Sequence, residues 1–200
     1  MINKNRFEQG LITFPQMNLL FRVRLMWREL ATWTRAYLVS RFIGGSFYEE
    51  VFSKLFSIPQ NFGQLFQLVL GVDIADQYVK LLSEHIILLR DYIEAQISGD
   101  ENMANEKYRS LYQNADERAK FLASHNPFWT EMEWRNLFYT YLNRTIEEIT
   151  SFLTGDYKTN ISIFDRILAH ADNLGDYFMT GIYSYMSYNN LGNPELGPSR

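Results

Sequence analysis

Apolar residues recur along this chain with the period of an α-helix, and no run alternates with period two for long enough to make a strand. Residues 17–43 carry apolar positions almost all the way round, including Trp27, Trp33 and Tyr37, which predicts a long helix at the centre of the fold. Gly44-Gly45 ends it. Ser46 and Glu49 have the spacing of a capping box, which predicts a short helix to about Ser57, broken by Pro59. Asn61 is placed to cap a second short helix that Gly71 stops.

The next stripe runs Ala75, Tyr78, Leu82, His85, Leu89, Tyr92, to a turn at Gly99-Asp100. A more polar helix follows with Leu111, Ala115, Ala119 and Leu122 on one face, ending before Asn126-Pro127, because proline disfavours helix at the residue before it. Thr130 and Glu133 form a second capping-box spacing for a helix through Trp134, Phe138, Tyr141, Thr145, Ile149 and Phe152, closed by Gly155. The last stripe runs Phe164, Ile167, Ala171, Leu174, Phe178, Ile182. The pattern predicts an all-α, antiparallel bundle of about five main helices plus two short ones. It divides the chain into an N-terminal arm (1–16), one helical domain (17–187) and a tail (188–200). The tail, a Gly/Pro/Asn segment without periodicity, frays if free. The alternative is docking on its own bundle or on a neighbouring subunit.

Composition narrows the chemistry. With no cysteine, disulfides, thiolate zinc sites, iron–sulfur clusters and a cysteine nucleophile are excluded. A net charge of −4 argues against nucleic-acid binding, which needs a basic field. The start of the chain lacks the apolar run of a signal peptide, and no segment has the apolar length of a membrane span. The expectation is a soluble cytoplasmic protein with no membrane or nucleic-acid partner. Aromatics make up 16% of the chain, enough to build a ring-rich core and leave some rings for an interface.

Catalytic motifs are missing: there is no phosphate-cradling glycine loop, no dinucleotide fingerprint and no hydrolase elbow, and no cofactor is implied. Leu82 and Ile167 stand three residues before His85 and His170, where a ferritin-like metal site would need glutamates. His125 is expected in a loop before Asn126-Pro127, where a turn or capping role fits. The adjacent pair Glu147-Glu148 diverges by about 100° on a helix, so the two cannot face one substrate; Glu147, three residues after Arg144, suits a surface ion pair. Residues 17–43 hold five arginines against Glu29 alone, whereas residues 91–156 hold twelve acids against six bases. Packing of buried arginine stems against those carboxylates is the simplest use; an anion site on the arginine face is the alternative. Tyr177, Tyr183, Tyr185 and Tyr188 do not share one stripe, so some face outward, as tyrosines at protein contacts do.

The order and spacing of MWRELATWTR (Trp27, Trp33, Thr34, Arg35), NFG (Asn61–Gly63), LLSEH (to His85), NAD (Asn114–Asp116), NPFW (Asn126–Trp129) and Trp134 resemble a family of small all-helical bacterial proteins, common in spore-formers and sometimes labelled acetylglutamate kinase. The resemblance covers roughly residues 19–186 and implies an all-helical fold without an assigned activity. An amino-acid kinase is an α/β protein with glycine-rich phosphate loops, and this chain carries neither. Similar proteins tend to have histidines where this chain has Leu30 and Tyr141, so of that set only His85 is kept.

These observations lead to a non-enzymatic structural or interaction protein that forms a homo-oligomer, with Tyr183, Tyr185 and Tyr188 as candidate self-association residues. The competing expectation is a small-ligand or metal-binding core around His85, with Arg35 as an anion anchor and Tyr141 nearby. Against that, the reading of His85 as a core residue makes it a buried neutral imidazole bonded to a hydroxyl, carboxylate or carbonyl.

Overall fold

The computed structural model describes residues 14–191, so residues 1–13 of the arm and 192–200 of the tail lie outside the described residues. Six helices follow one another: α1 (Phe14–Val39), α2 (Tyr48–Leu70), α3 (Val72–Ser98), α4 (Glu101–His125), α5 (Glu131–Leu153) and α6 (Tyr157–Leu191). A π-helical turn, Ser40–Gly44, prolongs α1. There is no strand among the described residues. Each helix packs chiefly against its neighbours in sequence, and α6 returns to pack along α1, so the six close into a ring.

The five main helices stand close to where periodicity puts them. The two short ones are a single helix: α2 runs through Pro59. Proline removes one backbone donor, but Leu55, Ile58, Phe62 and Phe66 are all fully buried on the same helix. Packing of that apolar face outweighs one missing hydrogen bond. Ser46 does not open a capping box; α2 starts at Tyr48 with no side-chain cap. Asn61 lies mid-helix, where its amide donates to Glu29 at 3.4 Å.

Other ends follow local rules. Gly99 takes the left-handed conformation (φ 73°) that a helix C-terminus favours, and the Asp100 N–H reaches back to the Ala95 carbonyl at 3.0 Å. The Asp100 carboxylate then accepts the Met103 N–H, opening α4. Thr130 accepts the Glu133 N–H at 3.2 Å and opens α5, but the reciprocal half of the capping box is replaced, because the Thr130 N–H goes to the Tyr177 hydroxyl. His125 belongs to the last turn of α4 and not to a loop; its Nδ1 lies 2.7 Å from the Phe121 carbonyl. The Ser124 hydroxyl donates to the same carbonyl at 2.8 Å.

The interior is built from rings. Trp134, fully buried on α5, touches Phe138 at 5.2 Å, Tyr177 at 5.0 Å and Trp129 at 5.5 Å between centroids. Trp27 of α1 joins them, edge-on to Phe62 of α2 at 4.8 Å. The expected central helix is not found. α1 is one stave of the ring, packed between α2 and α6, and its outer side is bare.

Candidate functional site

Inside the ring, polar side chains from four helices form a connected group. His85 (α3) is 1% exposed, and its Nδ1 lies 3.4 Å from a terminal nitrogen of Arg118 (α4). A guanidinium only donates, so Nδ1 is the acceptor. Burial, with Arg118 adding to it, holds the His85 imidazole well below its ordinary value, so the ring is neutral. Its partner is thus a guanidinium, and not the hydroxyl, carboxylate or carbonyl that the sequence suggests.

Arg118 is not among the sequence candidates, yet it stands at the centre of the group. It is 2% exposed, and its guanidinium lies 4.3 Å above the ring of Phe138. Position 118 falls seven residues after Leu111 and four before Leu122, on the buried stripe of α4, so the periodicity already implies its burial. Tyr78 of α3 is wholly buried and its phenol is pushed up to about 12 by that burial, with the Arg118 charge pulling the other way. The guanidinium stands beside the Tyr78 hydroxyl as a donor as well as a charge, although the pair closes no well-formed hydrogen bond. Tyr141 of α5 is also raised, first by burial and then by Glu148, while Thr34 and Arg118 oppose the shift. Thr34 stands beside its hydroxyl, but no well-formed hydrogen bond closes there.

Arg35 occupies a neighbouring layer. It donates to Glu148 of α5 and stacks over Phe164 at 4.5 Å. The Glu148 side chain is 1% exposed, and burial raises its carboxyl to about 7 against the opposing pull of Arg35. The candidates His85, Arg35 and Tyr141 therefore share one interior, linked through Arg118 and Glu148. Leu30 is buried too, at 2% exposed.

The remaining histidine points elsewhere. The His170 Nε2 donates to the Leu137 carbonyl at 2.8 Å. Burial lowers its pKa, the Leu137 bond opposes the shift, and Arg144 adds to the lowering. His85 and His170 thus face different partners, and among the described residues no three of His, Asp or Glu gather in the manner of a metal site.

Three further arginines of residues 17–43, Arg24, Arg28 and Arg41, also pair with carboxylates. Arg24 grips Asp176 through two bonds of 2.5 and 2.7 Å, and Arg28 reaches Asp172 at 2.9 Å. Both acids lie on α6, outside the acidic stretch 91–156; Arg41 pairs with Glu94 inside it. Glu147 bonds Arg166 across helices and not Arg144, whose guanidinium donates to the Arg166 carbonyl.

The outer surface carries a second feature. On α1, Phe14 (70% exposed), Phe21 (54%), Leu25 (63%) and Val39 (39%) face away from the ring. Their spacings of seven, four and fourteen residues place them along one side of the helix. Thr32, also exposed, lies midway between Leu25 and Val39 on the same side. At the free end of α6, Tyr183 and Tyr188 are exposed and Tyr185 is half-buried. Tyr188 meets Phe128 edge-on at 6.0 Å, and Tyr183 lines an apolar groove with Leu19, Ile182 and Met186. Tyr177 turns inward: its hydroxyl accepts the Thr130 N–H at 2.9 Å and its carbonyl accepts the Trp129 indole N–H. No helix among the described residues is long and apolar enough to cross a membrane.

Comparison with models of protein families, with curated proteins and with solved structures finds no match.

Proposed function

We propose that the chain is a non-enzymatic helical-bundle protein that assembles with copies of itself through the outer face of α1. The observation that carries this reading is the bare stripe of Phe14, Phe21, Leu25 and Val39. A helix apolar on nearly every side belongs in an interior, and the ring covers only part of this one. An exposed apolar face of this kind is the usual mark of a contact between proteins. Thr32 interrupts it with a single hydroxyl on a short side chain, which still lets a second helix come close. A second copy brings the same face, and a twofold axis lets the two stripes close on each other without leaving an open end. The heptad spacing of Leu25, Thr32 and Val39 suits such helix-on-helix packing. The exposed Tyr183, which shares a groove with Pro15 and Leu19 at the start of α1, extends the surface with a residue type favoured at contacts.

Sedimentation equilibrium over a wide concentration range tests the reading, with the wild type beside a Phe21→Ser, Leu25→Ser double variant. The wild type is expected to associate and the variant to remain a monomer with unchanged helix content. A wild type that stays monomeric at the highest concentration, or a variant that associates equally, overturns it.

A further inference from the structure

Arg118 is a buried cation with no carboxylate partner. Its side chain enters no ion pair among the described residues, and its Nε has no hydrogen-bond partner in the protein. The acceptor it does meet is the His85 Nδ1, at a long 3.4 Å. A guanidinium cannot shed its proton to escape burial, as a lysine or histidine can. The Phe138 ring beneath it offsets only a fraction of what stripping water from an ion costs. The one fully buried carboxylate nearby, Glu148, is engaged by Arg35.

The groups around Arg118 deepen the imbalance. The hydroxyls of Tyr78 and Tyr141 are buried and feel the guanidinium charge; Arg118 stands beside Tyr78 and Thr34 beside Tyr141, yet neither hydroxyl closes a well-formed hydrogen bond. The indole N–H groups of Trp27 and Trp134 are likewise unpartnered, and both rings pack on Phe138, the ring that Arg118 covers. His85 is neutral and already turned to the guanidinium, so it supplies no charge. Buried donors without acceptors are rare in folded proteins because each costs a lost bond to water. This interior therefore holds one uncompensated positive charge and several unused donors. Its chemical complement is small, negative, and accepts without donating.

We propose that the ring interior around Arg118, Tyr78 and Tyr141 is a binding site for a compact monoanion, either a halide or a short carboxylate such as formate. Arg118 supplies the charge and the two phenols supply directed donors, so the site selects for charge and size. It is independent of the self-association surface, which lies on the outside of α1.

The experiment follows thermal unfolding of the full chain in sodium isethionate, an anion too large for the interior. Chloride, bromide and formate are each titrated in at constant ionic strength. The wild-type midpoint is expected to rise saturably with at least one of them, and the three arms separate halide from carboxylate. Arg118→Met, with its helix content checked by circular dichroism, is expected to show no rise. Tyr78→Phe is expected to weaken the apparent affinity about tenfold. An absent or non-saturable rise in the wild type, or an equal rise in Arg118→Met, overturns the proposal. Should Arg118→Met not fold, bromide anomalous diffraction on the wild type decides. A peak within hydrogen-bond distance of the guanidinium supports the site; peaks only on the surface, an adventitious ion only, overturn it.

Discussion

Glu148→Gln reports on the polar interior through the pH dependence of stability. Burial raises the Glu148 carboxyl to about 7 from an ordinary 4.5, with Arg35 opposing the shift. The native state therefore holds this proton more tightly than the unfolded chain does. Its contribution is fully present below pH 4.5 and is lost as the pH rises to 7. A shift of that size corresponds to about 3 kcal/mol across the window, at 1.4 kcal/mol per pH unit. An ordinary ion pair has the opposite sign, because a carboxylate held below its usual range loses stability toward acid. Burial and pairing are both present here, and the prediction is that burial wins. The assay is urea unfolding of the wild type and Glu148→Gln at several values from about pH 4.5 to 8. His85 and His170, both lowered by burial, also change stability in this window: their contribution is present above about 6.5 and lost as the pH falls. They remain in the variant, so the difference between the two proteins isolates Glu148. The wild type is expected to gain about 2–3 kcal/mol relative to the variant between about pH 7.5 and 4.5. A flat difference, or a gain toward alkali, refutes the claim that dehydration dominates at this pair.

Gly181→Ala places a methyl group where the Trp129 indole already sits, and urea unfolding should show a loss of about 1–3 kcal/mol; an unchanged midpoint means the Trp129 loop moves freely. Asp176→Ala removes the two-bond partner of Arg24, but both side chains are at least a third exposed, so solvent and salt screen the pair and the loss should stay below about 1 kcal/mol. A larger loss would make this pair a fastener between α1 and α6. In NMR titration the His85 ring should show no protonation as the pH falls through 6.5, whereas a midpoint near 6.5 would mean water reaches the Arg118 interior.

Most helices were legible because each buries a single face, and that face recurs with the helical period. Pro59 misled because proline rules are local, whereas the burial of Ile58, Phe62 and Phe66 is tertiary. Arg28 and Arg24 are four residues apart, and so are Asp172 and Asp176, which they meet. The spacing is visible in the chain; that α6 closes the ring against α1 is not, because it depends on which helix ends the circuit. Arg118 was hidden differently. Its position on the buried stripe of α4 was readable from Leu111 and Leu122, but a charged residue within DERAK reads as surface unless periodicity is weighed above residue type. The nearly all-round apolar pattern of α1 was visible too. Its burial within the fold did not follow, because a helix in the ring is covered by its neighbours on two sides only, which leaves the outer side of α1 exposed.

Disulfide cross-linking tests self-association most directly, because the chain has no cysteine of its own. Leu25→Cys puts one thiol in the middle of the bare stripe of α1, and Gln113→Cys puts one on an exposed position of α4. Under mild oxidation Leu25→Cys is expected to form covalent dimers quickly and nearly completely, at concentrations where Gln113→Cys remains monomeric. Equal and slow cross-linking at both positions would show that the outer face of α1 meets no second copy.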